Sequence, residues 1–417
     1  SGAALTGYLN SISVDDITSI EIVPSPPSEY DASGNVGIIK ITTKKSHSPG
    51  LKGFVKGGFM QNSYSSGQAS AYINYAGEKS FFECTLLFMD YLQKCTDNYE
   101  VLFTNETMVT NNVRKLQNMY MDANLTFGYD FTEKTQWVIS LQLPGFNLDK
   151  GVDLKNHTDF FSASSEADSS MNTQGSYSKN TYAFNLESFL RYDFGQQSSL
   201  TISIGYLDDF SKNLRDWKTS KIALGTHYWD DNCATTGDFR YSILTPQMDF
   251  SFPVLHCQAK AGYKLSYIST KANSNFFDLQ NEDSQMDSSL SNSFNYRELV
   301  NALYFNVSKN WSKWALKIGL RGEYTLVHTS QSRNNKNYFN LFPSFFAGYY
   351  PANSHRLTFS YARRIQRPPF SYLDPFRYFI SKYNYTEGNP NLRPSFRHNV
   401  ELTYIYKNSL SCKVYYN

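Results

Sequence analysis

The chain has 417 residues, with 39 Lys+Arg against 37 Asp+Glu and a formal net charge of +2, a balance that does not call for a nucleic-acid partner. Aromatic residues make up 16% of it, with 32 Tyr and 31 Phe, yet mean hydropathy is only −0.48. No apolar run reaches the roughly 18 residues of a spanning helix, which excludes a helical membrane protein. Aromatic and polar together is the composition of strands that face lipid on one side and a wet lumen on the other.

In chain order, the opening SGAALTGYLN lacks the basic and apolar regions of a secretory signal and reads as a point partway through a longer chain. YDASGNVGIIKITTKK (30–45) reads as a turn feeding one short strand, followed by the loop Ser46 to Gly50. Beyond Gly50 the hydrophobic period is two. In SLTISIGY (199–206), Leu200, Ile202, Ile204 and Tyr206 share one face. In KWALKIGLRGEY (313–324), Trp314, Leu316, Ile318 and Leu320 oppose Lys317, Gly319, Arg321 and Glu323. Leu316 is therefore expected to face lipid near the bilayer midplane, and Lys317 the lumen. NVELTYIY (399–406), QWVISLQL, MDANLTFGYD, QAKAGYKLSY and HRLTFSYAR repeat the pattern, whereas KSFFECTLLFMDYL is apolar on both faces and leaves its register open.

Short connections fall at AGEKS, FTEK, FGQQSS, SFPVLH, KNWSK, YPANSH and YKNS. Longer polar segments at 98–112, 144–175, 208–236, 270–293, 327–340 and 365–392 alternate with them and are expected to be loops. Tight turns at one end and long loops at the other are the arrangement of an outer-membrane barrel, not of a soluble sandwich. The fold predicted is all-β, a transmembrane antiparallel β-barrel with about fifteen strands present. The odd count, ending at SLSCKVYYN, predicts further strands beyond Asn417.

No nucleophile elbow, zincin helix, phosphate-binding loop or dinucleotide fingerprint is present, so neither an enzyme nor a cofactor is expected. Cys84, Cys95, Cys233, Cys257 and Cys412 carry no metal spacing and read as small apolar fillers. His157, His227 and His328, with the pairs Asp208-Asp209 and Asp230-Asp231, fall in the expected loops and read as solvated rather than metal-binding. The segment 361–392 is denser. Arg363, Arg364, Arg367 and Arg377, with Tyr372 and Tyr378, sit among Pro368, Pro369, Pro375 and Pro390, and a stiff aromatic–arginine loop can either line a ligand entrance or pack for structure alone.

Two motifs carry a family resemblance. Ile20-Glu21-Ile22-Val23, the prolines Pro24 to Pro27 (Pro26 among them), Tyr30-Asp31, Gly34-Asn35 and Gly37 to Lys45 resemble the end of the plug domain of TonB-dependent outer-membrane receptors. The Tyr-Asp form is similar to the branch called the outer-membrane β-barrel family. Arg367-Pro368, Leu373 to Phe376 and Gly388 to Pro394 resemble that branch's barrel signature. The resemblance implies residues 1–47 as the C-terminal part of a small α/β plug and 48–417 as a barrel incomplete at its C-terminus, from a family barrel of 22 strands. It implies a Gram-negative outer membrane, the TonB energy-coupling complex as partner, and import of a scarce or bulky nutrient such as a siderophore, cobalamin-like chelate, peptide or oligosaccharide. Residues 30–37 would form plug surface, and Glu21 would pair with a lumen arginine. The alternative is an accessory barrel of an assembly or secretion complex, bound to a surface lipoprotein or other outer-membrane subunits.

Overall fold

The computed structural model describes residues 17–23, 27–34, 38–43, 49–144, 146–162, 167–223, 226–280, 285–330, 336–352, 354–381, 384–407 and 409–416. Of the plug-motif residues, Pro26, Asn35 and Gly37 lie outside these. β1 (Ile17–Val23) and β2 (Ile38–Thr43) pair antiparallel as a separate two-stranded sheet. The main sheet opens with β3 (Gly50–Gln61), β4 (Ser65–Ala76), β5 (Ser80–Leu102), β6 (Thr107–Thr132), β7 (Thr135–Pro144) and β8 (Phe146–Phe161). It continues through β9 (Ser169–Gly195), β10 (Ser198–Ala223), β11 (Thr226–Val254), β12 (Cys257–Asp278), β13 (Gln285–Asn310), β14 (Trp314–Thr329), β15 (Lys336–Ala352) and β16 (His355–Gln366). A loop carrying α1 (Phe370–Leu373) and the hairpin β17 (Arg377–Ser381) and β18 (Asn384–Glu387) then leads to β19 (Ser395–Tyr406) and β20 (Leu410–Tyr416).

The main sheet has sixteen strands, but β7 and β8 run end to end between β6 and β9 and share one position, which leaves fifteen staves, the number the alternation predicts. Among the described residues β3 and β20 form its edges. The two faces invert the usual rule for soluble proteins. Thr110, Thr158, Thr173, Thr219, Arg321 and Glu323 are buried, while Ile202, Ile204, Met248, Leu303, Phe305, Ile318 and Leu320 are exposed. The buried polar face is the inner one, because the segment 28–31 packs on it (below). KSFFECTLLFMDYL falls in register with the rest, with Phe82, Leu86 and Phe88 exposed and Thr85 buried.

The short connections AGEKS, FTEK, FGQQSS, SFPVLH and KNWSK are tight turns at one end of the sheet, and YPANSH and YKNS each include a residue outside the described ones. At Gln196-Gln197 and at Leu255-His256 both residues have positive φ (52° and 62°, 46° and 62°), the conformation of a type I′ hairpin, whose twist matches that of the strands it joins. At the opposite end the structure corrects the expectation of long loops. Most of 98–112, 208–236 and 270–293 is paired strand, and β9, β10 and β11 run to 27, 26 and 29 residues. A spanning strand needs roughly 9–11 residues, so the surplus projects beyond the bilayer. The 144–175 segment is likewise mostly β8 and β9. Among the strand ends described there, the long connection is 367–394, between β16 and β19. A second correction concerns depth: Leu316 lies two residues from Trp314, where β14 begins at the turn end, and the midpoint of the outward row Trp314 to Leu326 is Leu320.

Candidate functional site

Pro27 to Tyr30 form a turn closed by Tyr30 N–H donating to the Pro27 carbonyl at 3.1 Å. It sets Ser28, Glu29 and Asp31 against the inner wall. Ser28 N–H donates to Asn306 Oδ1 at 3.2 Å, and Ser28 Oγ lies 3.0 Å from Ser344 Oγ. Glu29 Oε2 lies 3.1 Å from Lys260 Nζ, which also reaches Asp249 Oδ1 at 3.3 Å. The Tyr304 hydroxyl donates to the same Asp249 oxygen at 2.6 Å.

Asp31 is the hub of a second cluster. Its Oδ1 accepts from Arg321 Nη2 at 3.1 Å, its Oδ2 from Lys264 Nζ at 2.9 Å, and its carbonyl from Arg364 Nη1 at 2.9 Å. Arg321 Nε donates to Glu323 Oε1 at 2.6 Å, and Arg367 Nη2 donates to Glu323 Oε2 at 2.8 Å and to Thr325 Oγ1 at 3.1 Å. Arg367 Nε is 3.5 Å from Glu298 Oε1, and Glu298 Oε2 accepts from the Tyr296 hydroxyl. Arg321 and Glu323 are each only 2% exposed, so these charges are held by one another and not by water.

The third attachment is through the backbone. β15 and β16 pair only as far as Ser344 opposite Ala362. Beyond that point Ser33 forms a parallel bridge with Ile365: Ile365 N–H donates to the Ala32 carbonyl at 3.0 Å, and Gly34 N–H to the Ile365 carbonyl at 3.3 Å. Residues 32–34 thus occupy the edge of β16 that β15 has left, while the other edge stays on β19. Gly34 has φ +105°, where a side chain is strained. Ala32, Ile365 and Phe342 close a small apolar cluster beneath it, with Tyr338 packed alongside.

Glu21, expected to meet a lumen arginine, instead stands opposite Lys40 in the β1–β2 pairing, and Asp31 takes that role. Arg364 and Arg367 point down into the charge cluster. Arg363 donates from Nη1 to the Leu341 carbonyl at 2.8 Å and lies over the Phe396 ring at 4.6 Å, holding the seam between β15 and β16. Arg377 pairs with Glu387 at 3.0 Å, and the hydrogen bond to that carboxylate holds the Arg377 pKa above its usual value; Arg377 also lies over the Tyr385 ring, while Tyr372 is exposed. The Tyr378 side chain lies outside the described residues. The loop itself is anchored in the mouth. The Phe370 ring packs 5.4 Å from both Phe239 and Phe294, Leu373 joins Phe294 and Tyr296, and Lys336 Nζ donates to the Pro390 and Leu392 carbonyls. Among the described residues, no three His, Cys, Asp or Glu side chains gather as a metal site, and the five cysteines are unbridged. His157 and His227 sit on strand tips beside Asp159 and Asp230.

Glu29, Asp249, Lys260, Lys264 and Glu298 escaped the sequence reading. The available signal was charge at the inward phase of strands that are otherwise apolar and hydroxylic.

An all-antiparallel sheet with an apolar exterior, a polar interior and a chain segment held on its inner face is the wall of an outer-membrane β-barrel. Residues 192–417 match the sequence profile described as the outer membrane protein beta-barrel family, and the chain belongs to that family, resident in the Gram-negative outer membrane. Three solved structures are similar. BauA, the ferric preacinetobactin receptor from Acinetobacter baumannii, is 9% identical, with 94% of this chain and 58% of that chain covered at a TM-score of 0.49. PiuA, a siderophore receptor from the same organism, is 11% identical (94% and 59% covered, TM-score 0.49). Fiu, the ferric-catecholate import receptor of E. coli K12, is 10% identical (93% and 60% covered, TM-score 0.48). The chain spans about three fifths of the length of these proteins. No curated protein matches it.

Proposed function

We propose that this chain supplies the barrel wall and plug apex of a TonB-dependent outer-membrane receptor that imports a scarce or bulky nutrient, acting as a transporter and not as an enzyme. The observation that carries the reading is the triple attachment of residues 28–34 to the inner wall, by the Ser28 contacts, the Asp31 ion pairs and the β16 backbone. Every one of these contacts is polar. Hydrogen bonds can be exchanged for water at a net cost of about 0.5–1.5 kcal/mol each and those to charged groups about 1.5–3, and the apolar contact beside them is confined to the small Ala32, Ile365 and Phe342 cluster. Such an apex is held firmly at rest and is releasable by applied work, which the TonB complex would deliver. The substrate class within siderophores, cobalamin-like chelates, peptides and oligosaccharides stays open.

The test is a reversible lock. Ser28→Cys with Ser344→Cys replaces two oxygens 3.0 Å apart by thiols able to join. Uptake of a panel of ferric siderophores, cobalamin and oligosaccharides is measured in cells carrying the intact protein, with single-cysteine controls. At least one compound should enter in energised cells, and entry should stop on oxidation and return on reduction. Uptake unaffected by the lock removes the moving-plug reading. No uptake, with stoichiometric protein subunits bound instead, replaces it by the accessory-barrel role.

A further inference from the structure

The exterior of the sheet carries a feature that uptake does not use. On β14 the outward row runs Leu316, Ile318, Leu320, Tyr324 and Leu326, and the next outward residue is His328. On β13 the same change falls between Leu299 and Arg297. Leu299 stands opposite both Tyr267 and Leu326, and Arg297 opposite both Ser269 and His328. Lys271 is the next outward position on β12, opposite Arg240 of β11. On β13 and β14 a basic side chain, Arg297 and His328, thus stands immediately above an apolar row at the upper limit of the lipid-facing band, and on the next two staves Lys271 and Arg240 stand above Ser269 and Ser242.

Between the two rows lies a groove of about 410 Å³ lined by Tyr267, Arg297, Leu299, Leu326, His328 and Asn337. Its chemistry is one-sided. Glu298 borders it, but its carboxylate faces the lumen and holds Arg367 and the Tyr296 hydroxyl. Of the acids on the outer face of β10 and β11, Asp208 is taken up by Arg240 at 3.1 Å, and Asp238 stands beyond Arg240, opposite Lys212 and Asn273. We infer that this groove binds a phosphorylated lipid of the surrounding outer leaflet, its phosphate on Arg297, His328 and Lys271 and an acyl chain along Tyr267, Leu299 and Leu326. Two things on the surface select that occupant. The guanidinium fork fits a phosphate bidentately. The apolar floor is continuous with the band already in contact with acyl chains, so a chain reaches the groove without leaving the bilayer.

The probe is diphosphorylated lipid A added to the intact protein in detergent, followed by native mass spectrometry, with inorganic phosphate and dephosphorylated lipid A as the other arms. Arg297→Gln with His328→Gln should weaken retention of the diphosphorylated lipid about tenfold or more, the loss expected for charge-assisted hydrogen bonds. Arg297→Lys, which keeps the charge but not the fork, should fall between, and Leu299→Gln should weaken the lipid without affecting any phosphate binding. Heat-shift on gels reports that each variant has folded. Equal retention by wild type and the double variant, or retention of dephosphorylated lipid A as strong as the diphosphorylated form, overturns the inference. Inorganic phosphate competing at equal concentration would make the groove a free-anion site and overturn it too.

Discussion

Asp31 and Arg321, 290 positions apart in sequence, meet at 3.1 Å inside the barrel, and Arg321 is almost wholly buried by the contact. This pair joins two parts of the chain that share no strand. It makes the charge of the wall legible as a complement to the charge of the apex: Glu29 and Asp31 face Lys260, Lys264 and Arg321.

Arg321→Met should destabilise the folded protein by about 1–3 kcal/mol, because buried Glu323 then keeps only Arg367 as a cation partner, while half-exposed Asp31 keeps Lys264 and water. Arg321→Met combined with Glu323→Gln should recover part of that loss, since the amide carries no charge that needs Arg321 and its oxygen can still accept from Arg367 Nη2. Denaturant unfolding in lipid vesicles measures both. A double variant no better than the single would show that the two side chains are not coupled.

Leu320→Arg should cost roughly 2–4 kcal/mol at the midplane of the bilayer, Leu316→Arg near the turn end roughly 0–1, and Lys317→Arg almost nothing, facing the lumen. The same unfolding assay ranks the three. Equal costs at Leu320 and Lys317 would contradict the assignment of faces.

Gly388 N–H donates to the Asp374 carbonyl at 3.0 Å, and a Cβ there would come within 2.3 Å of that oxygen and 2.8 Å of the Tyr372 carbonyl. Gly388→Ala should therefore dislodge the 367–394 loop while leaving the barrel's unfolding midpoint in place. Limited proteolysis should show faster cleavage inside the loop and none in the staves.

Burial pushes the Asp374 carboxyl above the usual carboxylate range, only partly offset by the hydrogen bonds it accepts from Phe376 N–H and Asn292 Nδ2. With the folded value raised, folding of the loop favours the protonated form. Its contribution is full below the ordinary value of about 4 and is lost as pH rises through the raised folded value. Amide exchange in 370–377 should thus slow as pH is lowered through that window, after correction for the intrinsic pH dependence, and Asp374→Asn should flatten the profile.

The staves were readable wherever one face met lipid, as in Leu316 to Leu320 against Lys317 to Arg321, because bilayer and lumen impose opposite chemistry on alternate residues. The tight turns were readable for a related reason, being polar interruptions of that alternation. Above the bilayer the outer face is no longer apolar and the inner face is packed largely by hydroxyl groups, as at Ser211 and Thr219, so SKNLRDWKTSK, within β10, looks like a loop although its backbone is fully paired. The site was less legible. Arg321 and Glu323 announced themselves as lumen charges, but their partner Asp31 is fixed by tertiary closure, and Glu21, the nearer candidate by motif, is turned toward Lys40.

The departure of β15 from β16 after Ser344 means that the wall at this height is completed by a borrowed strand. Ala32 to Gly34 is simultaneously stopper and masonry. Drawing it out would do more than open a passage. It would leave the amide and carbonyl of Ile365 without partners on the lumen side, a slot cut to the pattern of an extended backbone. The inner wall would then have, beside β16, one vacated docking rail that the resting state keeps filled with its own chain.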